Sequence, residues 1–265
     1  MWEWLLPIFG FLIGIAASLT GVGGGIFIVP LLTLIYGFET VVATGTSLAT
    51  IILTSIASTV NYIKQNRVYI KTGLFLAIAT APGAYAGAAL TADPTIKAWL
   101  GEIFAVFLLI VAAQMIYNAL STASQKGCGQ KDPAFESNLF RNRRKLLQGL
   151  FLSFFGGVAS GLLGVGGGTI LVPIMCYALA FPIHFSIPTS MFIMIFTSIT
   201  GVANHLQQGH VNPEYALYLG IGSIFGAQVG AYTGKKLSSR NLKLVFAIML
   251  IVASINMILK SLKLI

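Results

Sequence analysis

Long apolar runs separated by short polar loops make up most of this chain. Residues 4–37 form one apolar stretch of 34 residues, well beyond the roughly 20 that cross a bilayer once. As a single helix at ~1.5 Å per residue it would be about 50 Å long, past the ~30 Å of a hydrocarbon core. Its middle is Gly21-Val22-Gly23-Gly24-Gly25, and glycine costs a helix interior roughly 1 kcal/mol per residue relative to alanine. Glycines do permit positive φ and leave backbone N–H groups uncovered. The pattern therefore predicts two helices, of about 16 and 12 residues, folded into a hairpin at the glycines. Spanning helices are predicted at 41–63, 70–91 and 97–119. Residues 120–146 are the one long polar segment, and the pattern then returns. A second broken run covers 147–180 around Gly164-Val165-Gly166-Gly167-Gly168, and spans follow at about 186–206, 214–233 and 240–262.

The second broken run is a copy of the first. Gly164 minus Gly21 is 143, and the same shift pairs Gly14 with Gly157, Pro30 with Pro173 and Thr46-Ser47 with Thr189-Ser190. It continues without a gap through Thr54-Ser55 and Thr197-Ser198, Asn61 and Asn204, Gln65 and Gln208, and Val68 and Val211. It ends with Gly83-Ala84 on Gly226-Ala227 and Gly87 on Gly230. A constant register from residue 14 to residue 87 identifies a duplication. The expected organisation is a first transmembrane repeat at 1–119, a linker at 120–146 and a second repeat at 147–265.

Composition narrows the class. The chain is 56% hydrophobic and 9% charged, against about 25% charged in a soluble domain, and its mean hydropathy is +0.87. It reads as an integral, multi-pass membrane protein. The net charge of +9 does not point to nucleic acid, because Lys and Arg fall in short loops between apolar runs, where they set orientation. Cys128 in the polar segment and Cys176 in an apolar run give neither a disulfide framework nor metal spacing. The opening MWEWLLPIFG lacks the basic start and small-residue cleavage site of a signal peptide, and reads as the start of the mature chain.

The charges break the repeat. Lys64, Arg67 and Lys71 have Gln207, His210 and Glu214 as their equivalents, whereas the sparse 92–97 loop corresponds to 234–243 with Lys235, Lys236, Arg240 and Lys243. Under the positive-inside rule, equivalent loops then lie on opposite faces. The linker carries Lys126, Lys131, Arg141, Arg143, Arg144 and Lys145, so it belongs inside with the 63–72 and 234–243 loops. All basic loops agree when each broken run enters and leaves on one side. The expected fold is an all-α polytopic membrane protein of two inverted-topology repeats, each a glycine-broken hairpin plus three spans, with both termini outside.

Enzyme chemistry is not expected. His184, His205 and His210 fall at segment ends, and no Ser-His-Asp, HExxH, CxxC or GxGxxG arrangement exists. Glu102 alone among the acidic residues lies within a span, about one turn in, and is read as interfacial rather than as a proton relay. The candidate site is a cluster of small neutral donors: Gly21, Gly23, Gly24 and Gly25 with Gly164, Gly166, Gly167 and Gly168, joined by Thr46, Ser47, Thr189 and Ser190. Helices restarting after each break offer free N–H groups and partial positive charge, an anion site without a buried cation. Each of these features also has a packing reading. Gly83, Gly87, Gly226 and Gly230 stand at small-residue packing spacing, and Ser or Thr hydroxyls commonly bond to their own helix. Asn61 and Asn204 are read as interhelical, and Cys176 as a buried apolar residue. No cofactor or metal is expected. The partners are the bilayer and a small anion, and oligomeric state is not legible.

GVGGGIFIVPLL and GVGGGTILVPIM, each followed by a TS pair 16 residues past its proline, resemble the TauE/SafE sulfite exporter family of membrane permeases. The resemblance covers the chain apart from the 120–146 linker. It implies transport of a small sulfur oxyanion or organosulfonate, such as sulfite or sulfoacetate, across a bacterial cytoplasmic (inner) membrane. Family members are described with eight spans; splitting two of them at the glycines gives ten helices. A passive anion channel would share the same glycine-lined site, and a membrane scaffold would need none of its donors.

Overall fold

A computed structural model describes residues 3–120, 136, 139–233, 248, 250–257 and 259. Among these residues there are helices and connections and no strand. Helix α1 (Leu6–Thr20) leads to the first break; α2 (Gly25–Pro30) leaves it and widens into a π-helical turn at Leu31–Ile35. Then come α3 (Thr40–Lys64), α4 (Ile70–Leu90) and α5 (Pro94–Leu120). The second half has α6 (Arg143–Leu163), α7 (Gly168–Pro173) with a π-turn at Ile174–Ala178, α8 (Ile183–Gln207) and α9 (Pro213–Thr233). From the end of α1 to the end of α4, every boundary in the first half maps onto the second by the 143-residue shift, 20 to 163 and 90 to 233 among them. Five of these helices are long and apolar enough to cross a membrane.

Local chemistry sets the boundaries. Gly21 (φ 74°) closes α1 by donating its N–H to Ala17 O, and Gly164 (φ 71°) closes α6 onto Ser160 O. Gly24 (φ 96°) and Gly167 (φ 87°) then start the next helices, a left-handed backbone that side chains rarely adopt. Pro30 and Pro173 lack an N–H for the i→i−4 ladder, and each is followed by the wide turn. The same left-handed positions recur where the residue does not: Gly37 (φ 72°) pairs with Ala180 (φ 58°), and Asn66 (φ 54°) with Gly209 (φ 72°).

Two boundaries differ from expectation. The linker's last residues, 143–146, belong to α6, because the Asn142 side chain caps it by accepting from the Lys145 N–H at 3.2 Å. Helix α5 starts at Pro94, not 97, because proline suits a first helical position and Asp93 accepts the Thr95 N–H at 2.8 Å. Residues 121–135, 234–247 and most of the span expected at 240–262, with Cys128 and the basic 234–243 loop, lie outside the described residues. The described part of that span, 250–257, is helical, and Ser254 donates to Ala105 O of α5 at 2.7 Å.

Packing follows the small residues. Helix α1 lies along α9: a Cβ at Gly10 or Gly14 would collide with the Leu219 or Ser223 carbonyl, and one at Gly222 or Gly226 with Pro7 or Phe11. Ascending α1 residues meet ascending α9 residues, so the two run the same way. Helices α4 and α6 repeat this with Gly157 against Thr80, Gly161 against Ala84, Gly83 against Phe154 and Gly87 against Val158. The packing reading of Gly83, Gly87, Gly226 and Gly230 is what these contacts describe. Glycine at such crossings lets backbones approach within van der Waals reach, which is what holds helices together when lipid is as apolar as the side chains. Between the two pairs, α3 and α8 cross in opposite directions. A Cβ on Gly45 would sit 3.0 Å from His205 Cβ, and one on Gly201 would sit 2.9 Å from the Leu48 side chain.

Candidate functional site

The two breaks meet at the centre, each built into the other. A Cβ on Gly25 would strike the Gly164 carbonyl and one on Gly168 the Gly21 carbonyl. Ser47 donates its hydroxyl to Gly164 O at 2.8 Å, and Ser190 donates to Gly21 O at 3.0 Å while sharing its proton with Ile187 O at 2.8 Å. Thr46 accepts the Asn212 N–H at 3.0 Å; Thr189 accepts the Tyr69 N–H at 3.2 Å. Each bond between the halves has its counterpart at the 143-residue shift, and the additional Ser190–Ile187 bond within α8 is the exception. The exchange extends outward to Thr54 with Ser223 and Thr197 with Thr80, then to Gln65 with Ala231 O and Gln208 with Ala88 O.

All twelve residues singled out in the sequence are buried; the glycines of the two breaks meet with Ser47 and Ser190, whereas the Thr46 and Thr189 hydroxyls face the N–H groups of Asn212 and Tyr69. Their roles divide. Ser47 and Ser190 spend their hydroxyl protons on the carbonyl of the opposite break, fixing the breaks to one another. The glycine breaks retain open donors: Phe27 and Ile28 bond to Gly24 O, and Ile170 and Leu171 to Gly167 O. Gly25, Ile26, Gly168 and Thr169 stand in the first turns of their helices, where N–H groups have no intrahelical acceptor. None of the residues placed around the breaks carries a formal charge, so partial charges of N–H groups are what the cluster offers an anion.

Two residues close the cluster that their chemistry did not single out. Ile51 and Met194 lie over both breaks: a Cβ on Gly23 would sit 2.8 Å from Met194 Sδ and 3.2 Å from Ile51 Cγ2, and one on Gly166 would sit 3.1 Å and 3.0 Å from the same atoms. Both are fully buried. Apolar side chains carry no site signature, but 51 plus 143 is 194, so the duplication itself was the available signal. Ser160 and Thr169 are also buried beside the second break. Their hydroxyls have no hydrogen-bond partner among the described residues, and a Cβ on Gly167 would stand 3.5 Å from Ser160 Oγ. Their equivalents at the first break are the apolar Ala17 and Ile26.

The remaining candidates lie outside the cluster. Asn61 donates across to Gln228, as the interhelical reading expects, whereas Asn204 accepts from Gln208 of its own chain segment. Cys176 is half-buried and contacts the Ser186 hydroxyl at 3.3 Å. Glu102 lines a cavity of about 670 Å³ with Glu39, Thr40, Lys97 and Met257, where Lys97 pairs with Glu39 at 2.9 Å. Nearby, burial and then the Lys97 charge push the His210 imidazole below its usual range, with Glu39 opposing. No cluster of three or more metal-ligating side chains occurs among the described residues.

A family model described as Sulfite exporter TauE/SafE matches residues 6–257, which takes in both breaks and all four hydroxyl residues. The chain belongs to this family. A Bacillus subtilis relative, probable membrane transporter protein YunE, is 34% identical, with 96% of each chain covered. A probable membrane transporter protein of Haemophilus influenzae is 31% identical over 95% of this chain and 96% of its own. One from Methanocaldococcus jannaschii is 28% identical over 96% and 95%. No solved structure matches the chain. The family and the relatives' names describe membrane transporters and not enzymes.

Proposed function

We propose that this TauE/SafE-family transporter moves a small sulfur-containing anion, such as sulfite or an organosulfonate, by alternating access around the two glycine breaks. The reading adds that the protein is an exporter of the inner membrane and that its halves are inverted repeats. The observation that carries it is the reciprocal docking of Gly21–Gly25 and Gly164–Gly168 under Ile51 and Met194. Buried N–H groups with no charged partner suit a monovalent or divalent oxyanion, which brings its own charge. A cation would find no carboxylate among these residues.

Two features support inversion. Contacts exchange under the 143-residue shift as they do across a two-fold axis. Equivalent helices α3 and α8 cross in opposite directions, as an axis in the membrane plane requires and an axis along its normal forbids. Two halves related in this way can trade conformations, one opening the site outward and the other inward. Ile51 and Met194, equivalent by the repeat, then serve as the two covers, with both closed over the site in the present conformation.

Purified protein in proteoliposomes, tested with sulfite, sulfate, thiosulfate and organosulfonates, should give saturable flux of a sulfur anion and accumulation when a driving gradient is imposed. Flux that only ever follows the anion's own gradient, under every imposed ion gradient, would establish a channel instead.

A further inference from the structure

His205 lies in the last turn of α8 and is completely buried. Its Nε2 stands 3.0 Å from the Gly161 carbonyl. A carbonyl only accepts, so Nε2 carries a hydrogen, and in the neutral ring Nδ1 is a bare lone pair. That Nδ1 has no hydrogen-bond partner among the described residues. The same is true of Nδ1 of His210, whose ring centre is 6.1 Å away. Around the pair stand the uncharged Gly45 of α3 and Gly161 of α6. The Lys97–Glu39 ion pair, from α5 and the corner before α3, acts on His210.

The repeat separates what His205 must do from what it adds. Position 205 corresponds to Tyr62, and Gly161 to Ser18, by the 143-residue shift. Tyr62 donates its hydroxyl to Ser18 O at 2.6 Å, so the first half ties the same helix end with a group that does not titrate near neutral pH. The tie therefore needs only a donor. Histidine supplies the donor and a basic nitrogen as well, in a buried place where an ionisable group is expensive to keep.

We propose that His205 is a proton-binding site through which the chain couples proton movement to transport, a reading that rests on the transporter assignment above. Protonation at Nδ1 creates a second buried N–H with no acceptor among the described residues, beside a second imidazole that itself lies in the field of Lys97. That state is relieved by admitting water or an anion at this end of α8. Because Gly161 lies three residues before Gly164, loosening its tie moves the end of α6 and with it the second break. The site takes up one proton in the conformation open at this end and releases it on closing.

The test uses His205→Tyr, which keeps the tie in the form the first half uses and removes the titration. A cysteine replaces Ile51 as reporter, with Cys128 and Cys176 changed to serine, and its labelling by a thiol reagent is followed from pH 7.5 to 5.5 in full-length protein. A single proton-linked equilibrium shifts by up to about tenfold per pH unit. The expected result is labelling that rises on acidification, relative to His205→Tyr, by about tenfold or more over the range. Identical pH profiles in the two proteins would overturn the proposal. Sulfite flux in proteoliposomes distinguishes the two readings. Flux whose pH profile is the same in both proteins removes the proton site and keeps the transporter. Labelling that responds to pH through His205, in a protein that moves no sulfur anion, removes the sulfur-anion reading and keeps the proton site.

Discussion

The two glycine breaks share a backbone and differ in what surrounds it. Both start from a left-handed glycine that caps a helix, both restart at a second one, and both are held by a serine from the opposite half. Around the first break stand Ala17, Ile26 and, farther out, Tyr62; around the second stand Ser160, Thr169 and His205. The geometry of a duplicated site is set by backbone contacts that only glycine permits, so both copies retain it. The side chains behind the break are under no such constraint. Behind the second break this leaves buried polar atoms unpartnered among the described residues, Ser160 Oγ and Thr169 Oγ1 beside it and His205 Nδ1 farther out, where the first break has Ala17, Ile26 and Tyr62.

The hardest blow to this pairing is bulk at either break. Gly24→Val and Gly167→Val each force a β-branched residue into φ 96° or 87°, a strain of about 1–3 kcal/mol, and each places methyl groups beside the N–H groups of the proposed anion site. Each is expected to abolish flux. Were one variant to transport normally and the other to fold yet be inactive, the breaks would not share one site. Next in size is an all-or-none topology test at equivalent positions, since 66 plus 143 is 209. Single cysteines at Asn66 and Gly209 should react with an impermeant reagent from opposite faces of the membrane; reaction from one face would end the inverted arrangement.

Removing the serine ties should cost stability in graded steps. Ser47→Ala leaves the buried Gly164 carbonyl without its partner, at about 1–3 kcal/mol, and lowers the unfolding midpoint. Ser190→Ala should cost less, because that hydroxyl already divides its proton between two carbonyls. Weaker anion binding is expected in both, read by titration of the purified variants. Equal losses of stability would mean that the sharing at Ser190 carries no energetic weight.

Ser160→Ala sharpens the difference between the breaks. Its hydroxyl has no partner to lose, so thermal stability should hold or rise slightly, within about 0.5 kcal/mol, while anion affinity falls. A clear loss of stability would contradict the unpartnered hydroxyl. The smallest effect expected is at His210, whose pKa is lowered by burial and by Lys97. Between that lowered value and the unfolded value near 6.5, the unfolded chain binds more protons, so stability falls as pH falls through the window. His210→Asn should flatten that part of the stability curve, measured by thermal unfolding in steps from pH 7 to 5.

Much of this was legible in the chain. Apolar runs fix helices because a bilayer leaves backbone groups no other partner, and the expected spans at 41–63 and 70–91 became Thr40–Lys64 and Ile70–Leu90. Consecutive glycines announced the breaks, and a constant shift of 143 announced that whatever one break does the other does too. The two breaks and the serines read from that pattern meet. Their division of labour was not legible. A hydroxyl reads the same in sequence whether it faces a ligand or a carbonyl 117 residues away, as Ser47 faces Gly164. Ile51 and Met194 carry no chemistry that marks them in the chain, and His205 reads as a residue at a segment end, because burial and the identity of a partner are properties of helices already crossed. Periodicity and composition act along the chain and survive in the one-dimensional record. Which donor meets which acceptor is decided only when two distant stretches meet, here at glycines small enough to let them touch.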